Sequence, residues 1–244
     1  SAPMAKSAQV DVAFTAEHHA LLFGWLARAV VEEAGPGMGE PVVRRAVRRY
    51  GRERGGRMAA RATADGHPLT LSAYVAYGEW RADPDAMEQA FAERAPQARL
   101  LVDRCPWHTV WGENGLLDHG RLYCLEIDQA LVEGFNPNLE LEVRGTRPNG
   151  AARCEFLFRE ALADEPVDAP GARVMSWAYH LGHLYWSVRE VVVEALGEAG
   201  ETALERALSD FAARYGEEAV EAILAYRETD FRRPFEFFMP EVHG

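Results

Sequence analysis

Lysine is almost missing from this sequence: Lys6 is the only one among 26 basic residues. The body of the chain therefore offers no lysine nucleophile or Schiff base, and its cations are planar guanidiniums. Cysteine is scarce as well, at three. A disulfide framework would need more, and in even number, so Cys105, Cys124 and Cys154 read as reduced thiols of a cytoplasmic protein. No run of 18 apolar residues exists, so no membrane-spanning helix is expected. Ser1 to Gln9 lack the basic start and apolar run of a signal peptide and read, with residues up to 12, as a disordered lead-in. Neither G-x-G-x-x-G, Walker A nor G-x-S-x-G occurs, which takes most of the weight from the classical Rossmann, P-loop and α/β-hydrolase readings. There is no C-x2-C pair and no H-E-x-x-H, and the expectation is no metal and no cofactor.

What is present is a chain of 244 residues, 48% hydrophobic and 26% charged. That is enough apolar surface for a core, and wholesale disorder is excluded. The net charge of −12 would be repelled by a phosphate backbone, so no nucleic-acid partner is expected.

The periodicity predicts an α+β fold, mostly helical. Residues 13–244 read as one domain: helical over 13–95, strand-containing over 96–165, helical over 170–230, with a C-terminal tail over 231–244. Thr15 caps a first helix with an apolar stripe through Leu21, Leu22, Trp25, Leu26 and Ala29. A second helix starts at Pro41 and runs to about Ala64, a third spans Thr70 to Trp80, and a short fourth spans Ala86 to Glu93. Arg99–Asp103, Leu139–Arg144 and Cys154–Phe158 read as three antiparallel strands, the last two joined by a Pro148-Asn149-Gly150 turn. Helices are expected at Trp107–Glu113, Leu122–Gly134, Val174–Leu196 and within Thr202–Arg227. The tail, Arg232 to Gly244, carries aromatics expected to pack back onto the body. Shifted by 161 residues, the first helix echoes the later one, with His19, Trp25 and Arg28 falling on His180, Trp186 and Arg189. Duplication and convergence of amphipathic helices both stay open.

Phased at 100° per residue, the second helix places Arg54, Arg57 and Arg61 on the face of Val43, Val47, Tyr50 and Met58. An inward guanidinium needs a counter-charge: a substrate carboxylate gripped by its fork, or an internal Glu or Asp. Gly55-Gly56 costs helix stability and permits the close approach of another backbone or a ligand. All three cysteines fall within one 50-residue stretch. Cys105 and His108 are three apart, as a thiolate–imidazolium pair on one helix would require. Asp128 or Glu126 could orient that histidine or move a proton. Any single cysteine also reads as a small buried apolar residue. His180 and His183 share a helix, with His180 at the edge of the apolar face and His183 nearly opposite, so packed histidines are favoured over a ligand pair.

Arg49-Tyr50-Gly51 with Arg54-Gly55 and Arg57, then Cys105, then Tyr123-Cys124 with Asp128, then Gly150 with Cys154-Glu155-Phe156, resembles the L-2-amino-thiazoline-4-carboxylic acid hydrolase family. The resemblance covers roughly residues 40–160. It implies ring-opening hydrolysis of a cyclic amidine by water addition at C2, giving a carbamoyl-cysteine. Cys105 could attack C2, or a carboxylate could activate water; Asp128 and Glu126 both remain candidates for that carboxylate. Arg54, Arg57 or Arg61 would hold the 4-carboxylate, and Asn136 or Asn138 the exocyclic nitrogen. The expected partner is thus a small carboxylated substrate, with self-association open. The rival readings are a metalloenzyme of specialised metabolism built on the Cys/His cluster and a non-catalytic small-molecule-binding module.

Overall fold

The computed structural model of the protein describes residues 12–234. The expected lead-in, apart from Val12, and the tail beyond Pro234 lie outside the described residues. The fold is α+β, with a four-stranded antiparallel sheet set among helices.

Two long helices open the chain, α1 (Ala16–Ala34) and α2 (Pro36–Ala64). Thr15 sits in extended conformation ahead of α1, and its backbone N–H donates to His18 Nδ1 at 3.0 Å. His18 thus takes the part that Glu or Gln plays in a capping box. Gly35, at φ 80°, makes the only break between the two helices. A glycine tolerates that left-handed conformation without penalty. Hence α2 starts at Pro36 rather than Pro41, which lies within its first turns.

After α3 (Leu71–Ala76) the expectation of a fourth helix fails. Residues 88–93 form strand β1 (Glu88–Glu93), paired antiparallel with β2 (Ala98–Arg104). Glu-Gln-Ala-Phe-Ala-Glu favours a helix locally, but β2 offers an open edge, and Phe91 pairs there with Leu100. The remaining strands, β3 (Leu141–Gly145) and β4 (Cys154–Phe158), join through the expected turn, where Gly150 takes φ 95°. The sheet order is β1-β2-β4-β3, one strand more than the alternation indicates.

Between β2 and β3 lie α4 (Pro106–Glu113), α5 (Leu117–Cys124) and α6 (Ile127–Phe135). The single helix expected over Leu122–Gly134 is broken at Leu125-Glu126, where Glu126 accepts from Arg44 and Arg48 of α2. α6 crosses α2 at very short range. A Cβ on Gly55 would stand 2.1 Å from the Leu131 carbonyl oxygen, and one on Gly134 would stand 2.3 Å from that of Arg52. Gly51 faces Ala130 in the same way, so small residues four apart on both helices make the crossing. The close approach expected of Gly55 is thus an approach to backbone. A Cβ on Gly56 would meet nothing closer than the Gly134 carbonyl oxygen at 4.0 Å.

The chain ends in α7 (Trp177–Leu196), α8 (Glu198–Tyr215) and α9 (Glu217–Leu224). α7 is buried on nearly every side, and His183, expected away from the apolar face, is 0% exposed. A helix packed all round has no polar face to phase against. The helices share one hydrophobic core; the sheet shares a second with α3, α6 and the end of α2. Cys105 packs against both.

Candidate functional site

At the seam between the two cores, three segments bring the cysteines together. Cys105 is the N-cap of α4, Cys124 ends α5, and Cys154 opens β4, paired with Val102 of β2. The thiols lie within electrostatic reach of one another and of Asp128 in the first turn of α6. Burial pushes every thiol up: Cys105 rises although the N–H groups of His108 and Trp107 pull it down, Cys124 rises well above the usual range, and Cys154 reaches about 11. None favours the thiolate at neutral pH. Asp128 is half-buried and makes no ion pair and no side-chain hydrogen bond to another described residue. Burial lifts its carboxyl to about 6, although Arg54 pulls the other way.

Arg54 joins this cluster to a second polar group. Glu79, in the loop after α3, is 0% exposed and takes Arg57 as a fork, Nε to Oε2 at 2.9 Å and Nη2 to Oε1 at 2.8 Å. Arg61 Nη1 adds a bond to Oε2 at 2.8 Å. Burial opposes the Glu79 charge, but Arg57 and Arg54 hold the carboxyl well below the usual range. Arg57 also donates to the Phe231 carbonyl at 2.5 Å and to His183 Nδ1 at 3.1 Å. Of the three inward arginines, Arg57 and Arg61 thus meet an internal carboxylate. Arg54 is the least committed: its Nε stands 3.5 Å from Glu79 Oε1 and has no hydrogen-bond acceptor among the described residues.

Aromatic side chains close the other side. Trp80, Trp107 and Trp177 lie with ring centroids 5.0–6.0 Å apart. Trp107 Nε1 donates to His19 Nδ1 at 3.0 Å, and His19 Nε2 lies 3.0 Å from the Tyr50 hydroxyl. His180 Nε2 donates to the Glu79 carbonyl at 2.9 Å, which leaves its Nδ1 buried and without a partner among the described residues. Burial lowers His180 to about 3.

The other residues singled out from the sequence stand elsewhere. The His108 ring is half-buried, with the Arg147 charge acting on it, and it makes no described contact with the Cys105 thiol. Glu126 is engaged by Arg44 and Arg48, which leaves Asp128 as the carboxylate at the cysteines. Asn136 donates to the Leu69 carbonyl at 2.8 Å and accepts from the Asn138 backbone at 2.9 Å, so both asparagines belong to the turn after α6. His180 and His183 are packed, as favoured. Among the described residues no three His, Cys, Asp or Glu side chains are placed to hold a metal ion. Nor is any described helix long and apolar enough to cross a membrane. Surface grooves of about 320 Å3 beside Pro36 and Arg44, and 460 Å3 beside Glu133 and Arg159, include none of the cysteines.

Periodicity and motif assigned no functional part to Glu79, Trp80 or Trp177; His19 stood out only in the echo of the first helix, and Trp107 only as the neighbour of Cys105 and His108. The only sign of Glu79 was indirect, in three inward arginines that required a counter-charge.

Compared with known proteins, the chain finds no match among curated sequences and none among solved structures. Residues 15–158, more than half of the chain and the whole stretch from α1 to β4, match the description of one family. That stretch supplies the three cysteines, Asp128, Glu79 and the inward arginines. The protein is a member of the L-2-amino-thiazoline-4-carboxylic acid hydrolase family.

Proposed function

We propose that the protein hydrolyses a small cyclic amidine bearing a carboxylate, of the aminothiazoline-carboxylate type, at the seam formed by Asp128, Arg54 and the three cysteines. The family name supplies the general reaction, hydrolysis of an aminothiazoline carboxylate. The observation that carries the finer reading is Asp128: a carboxyl with no described partner, raised to about 6, beside an under-committed guanidinium.

In this reading Arg54 takes the substrate carboxylate. Asp128, ionised above pH 6, removes a proton from water as that water adds to the amidine carbon between nitrogen and sulfur. Collapse of the tetrahedral centre breaks one ring bond, C–S or C–N, and the departing atom takes the proton back from Asp128. The sum is substrate plus water giving an open carbamoyl amino acid. General acid–base catalysis of this kind contributes about 100- to 10,000-fold. The thiols, held neutral by burial, form a polarizable wall and are not the nucleophile; this replaces the Cys105–His108 pair as the reacting group.

The test is ring opening of L-2-aminothiazoline-4-carboxylate by purified protein, followed by mass spectrometry of the product, beside Arg54→Gln and Asp128→Asn. Turnover lost in both variants, with folding intact, supports the reading. Turnover that survives Asp128→Asn and disappears in Cys105→Ser contradicts it.

A further inference from the structure

Tyr50 is 1% exposed; its hydroxyl accepts a hydrogen bond from the Arg54 side chain and lies 3.0 Å from His19 Nε2. Whether the hydroxyl or the imidazole donates in the second contact is settled one residue further back. Trp107 Nε1 lies 3.0 Å from His19 Nδ1, and an indole N–H can only donate. Nδ1 therefore carries the lone pair, and the single proton of the neutral ring sits on Nε2. A doubly protonated ring would aim one N–H at another. Burial above all, together with the charge of Arg54, also keeps this imidazole neutral. His19 thus donates to Tyr50. The proton of Tyr50 is turned away from His19 and has no acceptor among the described residues. A buried donor without an acceptor is costly, and an acceptor atom of a bound ligand would complete the arrangement. Arg54, one turn further along α2, lies with its guanidinium carbon 5.6 Å from the Tyr50 ring centre.

We propose that Tyr50 is a fixed hydrogen-bond donor to the substrate carboxylate beside Arg54, and that Trp107 and His19 are positioning residues that set its direction. The proposal rests on the hydrolase reading for the identity of the ligand, and on geometry alone for the direction of the donor. A donor locked in this way selects for a ligand that carries a hydrogen-bond acceptor, because a ligand without one would leave the buried hydroxyl unsatisfied.

Two measurements test it. Nitrogen-15 NMR of the histidines, with His19 assigned through His19→Gln, should show hydrogen on Nε2 and a bare Nδ1 in the wild type. Trp107→Phe should admit the other tautomer. In turnover of aminothiazoline carboxylate, Tyr50→Phe should raise KM about 10- to 100-fold while kcat changes little, as for a hydrogen bond to a charged group. Trp107→Phe should raise KM less, and adding it to Tyr50→Phe should do no further harm. A wild-type His19 protonated on Nδ1, or Tyr50→Phe with a wild-type KM, overturns the proposal. Wild-type protein that leaves the compound intact contradicts the hydrolase reading instead. Calorimetric binding of the compound to wild type against Tyr50→Phe would then decide the donor, equal affinity overturning it.

Discussion

Arg57 and Glu79 meet fork to fork where neither is exposed, with two hydrogen bonds of 2.9 and 2.8 Å. Arg61 completes the carboxylate's coordination at 2.8 Å, and the Glu79 carbonyl accepts from His180 and from the Met175 backbone. One loop residue thereby ties α2 to α7. Glu79→Gln leaves buried guanidiniums without their counter-charge, and removing one partner of such a pair costs about 3–5 kcal/mol. Urea unfolding should show a loss of that size; a change below about 1 kcal/mol would contradict the role given to Glu79.

The crossing of α2 and α6 separates two adjacent glycines. Gly55→Ala forces a methyl group against the Leu131 carbonyl, so the helices must part, at a cost of about 1–3 kcal/mol or more. Gly56→Ala meets nothing closer than 4.0 Å and should stabilise the helix by up to about 1 kcal/mol. Thermal unfolding of the pair should move in opposite directions.

Asp128 links stability to pH. Its carboxyl titrates near 6 when folded, against 3.8 for an ordinary aspartate, so the folded state binds the proton more tightly. The group costs nothing below pH 3.8; the penalty grows between 3.8 and 6 and stays constant above. Two pKa units correspond to at most about 3 kcal/mol, and less for a half-buried group. Asp128→Asn should therefore be more stable than wild type at pH 8, by about 1–3 kcal/mol, with the difference vanishing near pH 4.

The thiols should react slowly. With burial raising all three, and Cys154 to about 11, alkylation by iodoacetamide at pH 7 should run well below the rate of a free cysteine and accelerate only in denaturant. Each single Cys→Ser variant should keep most of its turnover. Fast labelling of Cys105 in native protein would restore the case for a nucleophilic thiol.

Local signals carried much of this fold. The apolar period of α1, the Pro148-Asn149-Gly150 turn and the inward phase of Arg54, Arg57 and Arg61 are properties of neighbouring residues. Residues 88–93 misled because Glu, Gln and Ala prefer a helix, whereas the open edge of β2 is a property of the assembled sheet. His183 misled because phasing presumes a solvent face that α7 lacks. At the site, residue types were readable and partnerships were not. Three cysteines and Asp128 converge from α4, α5, α6 and β4, but Glu126, two residues from Asp128, is drawn off by Arg44 and Arg48. Glu79 left no periodic trace because a single carboxylate in a short loop has no pattern of its own.

The most direct test of the account is the pH dependence of kcat/KM for aminothiazoline carboxylate, wild type against Asp128→Asn. A base of pKa about 6 predicts a rate that rises tenfold per pH unit below 6 and levels above it. In Asp128→Asn that limb should be absent and the plateau about 100- to 10,000-fold lower. An unchanged limb and plateau in the variant would remove Asp128 from the chemistry and contradict the account.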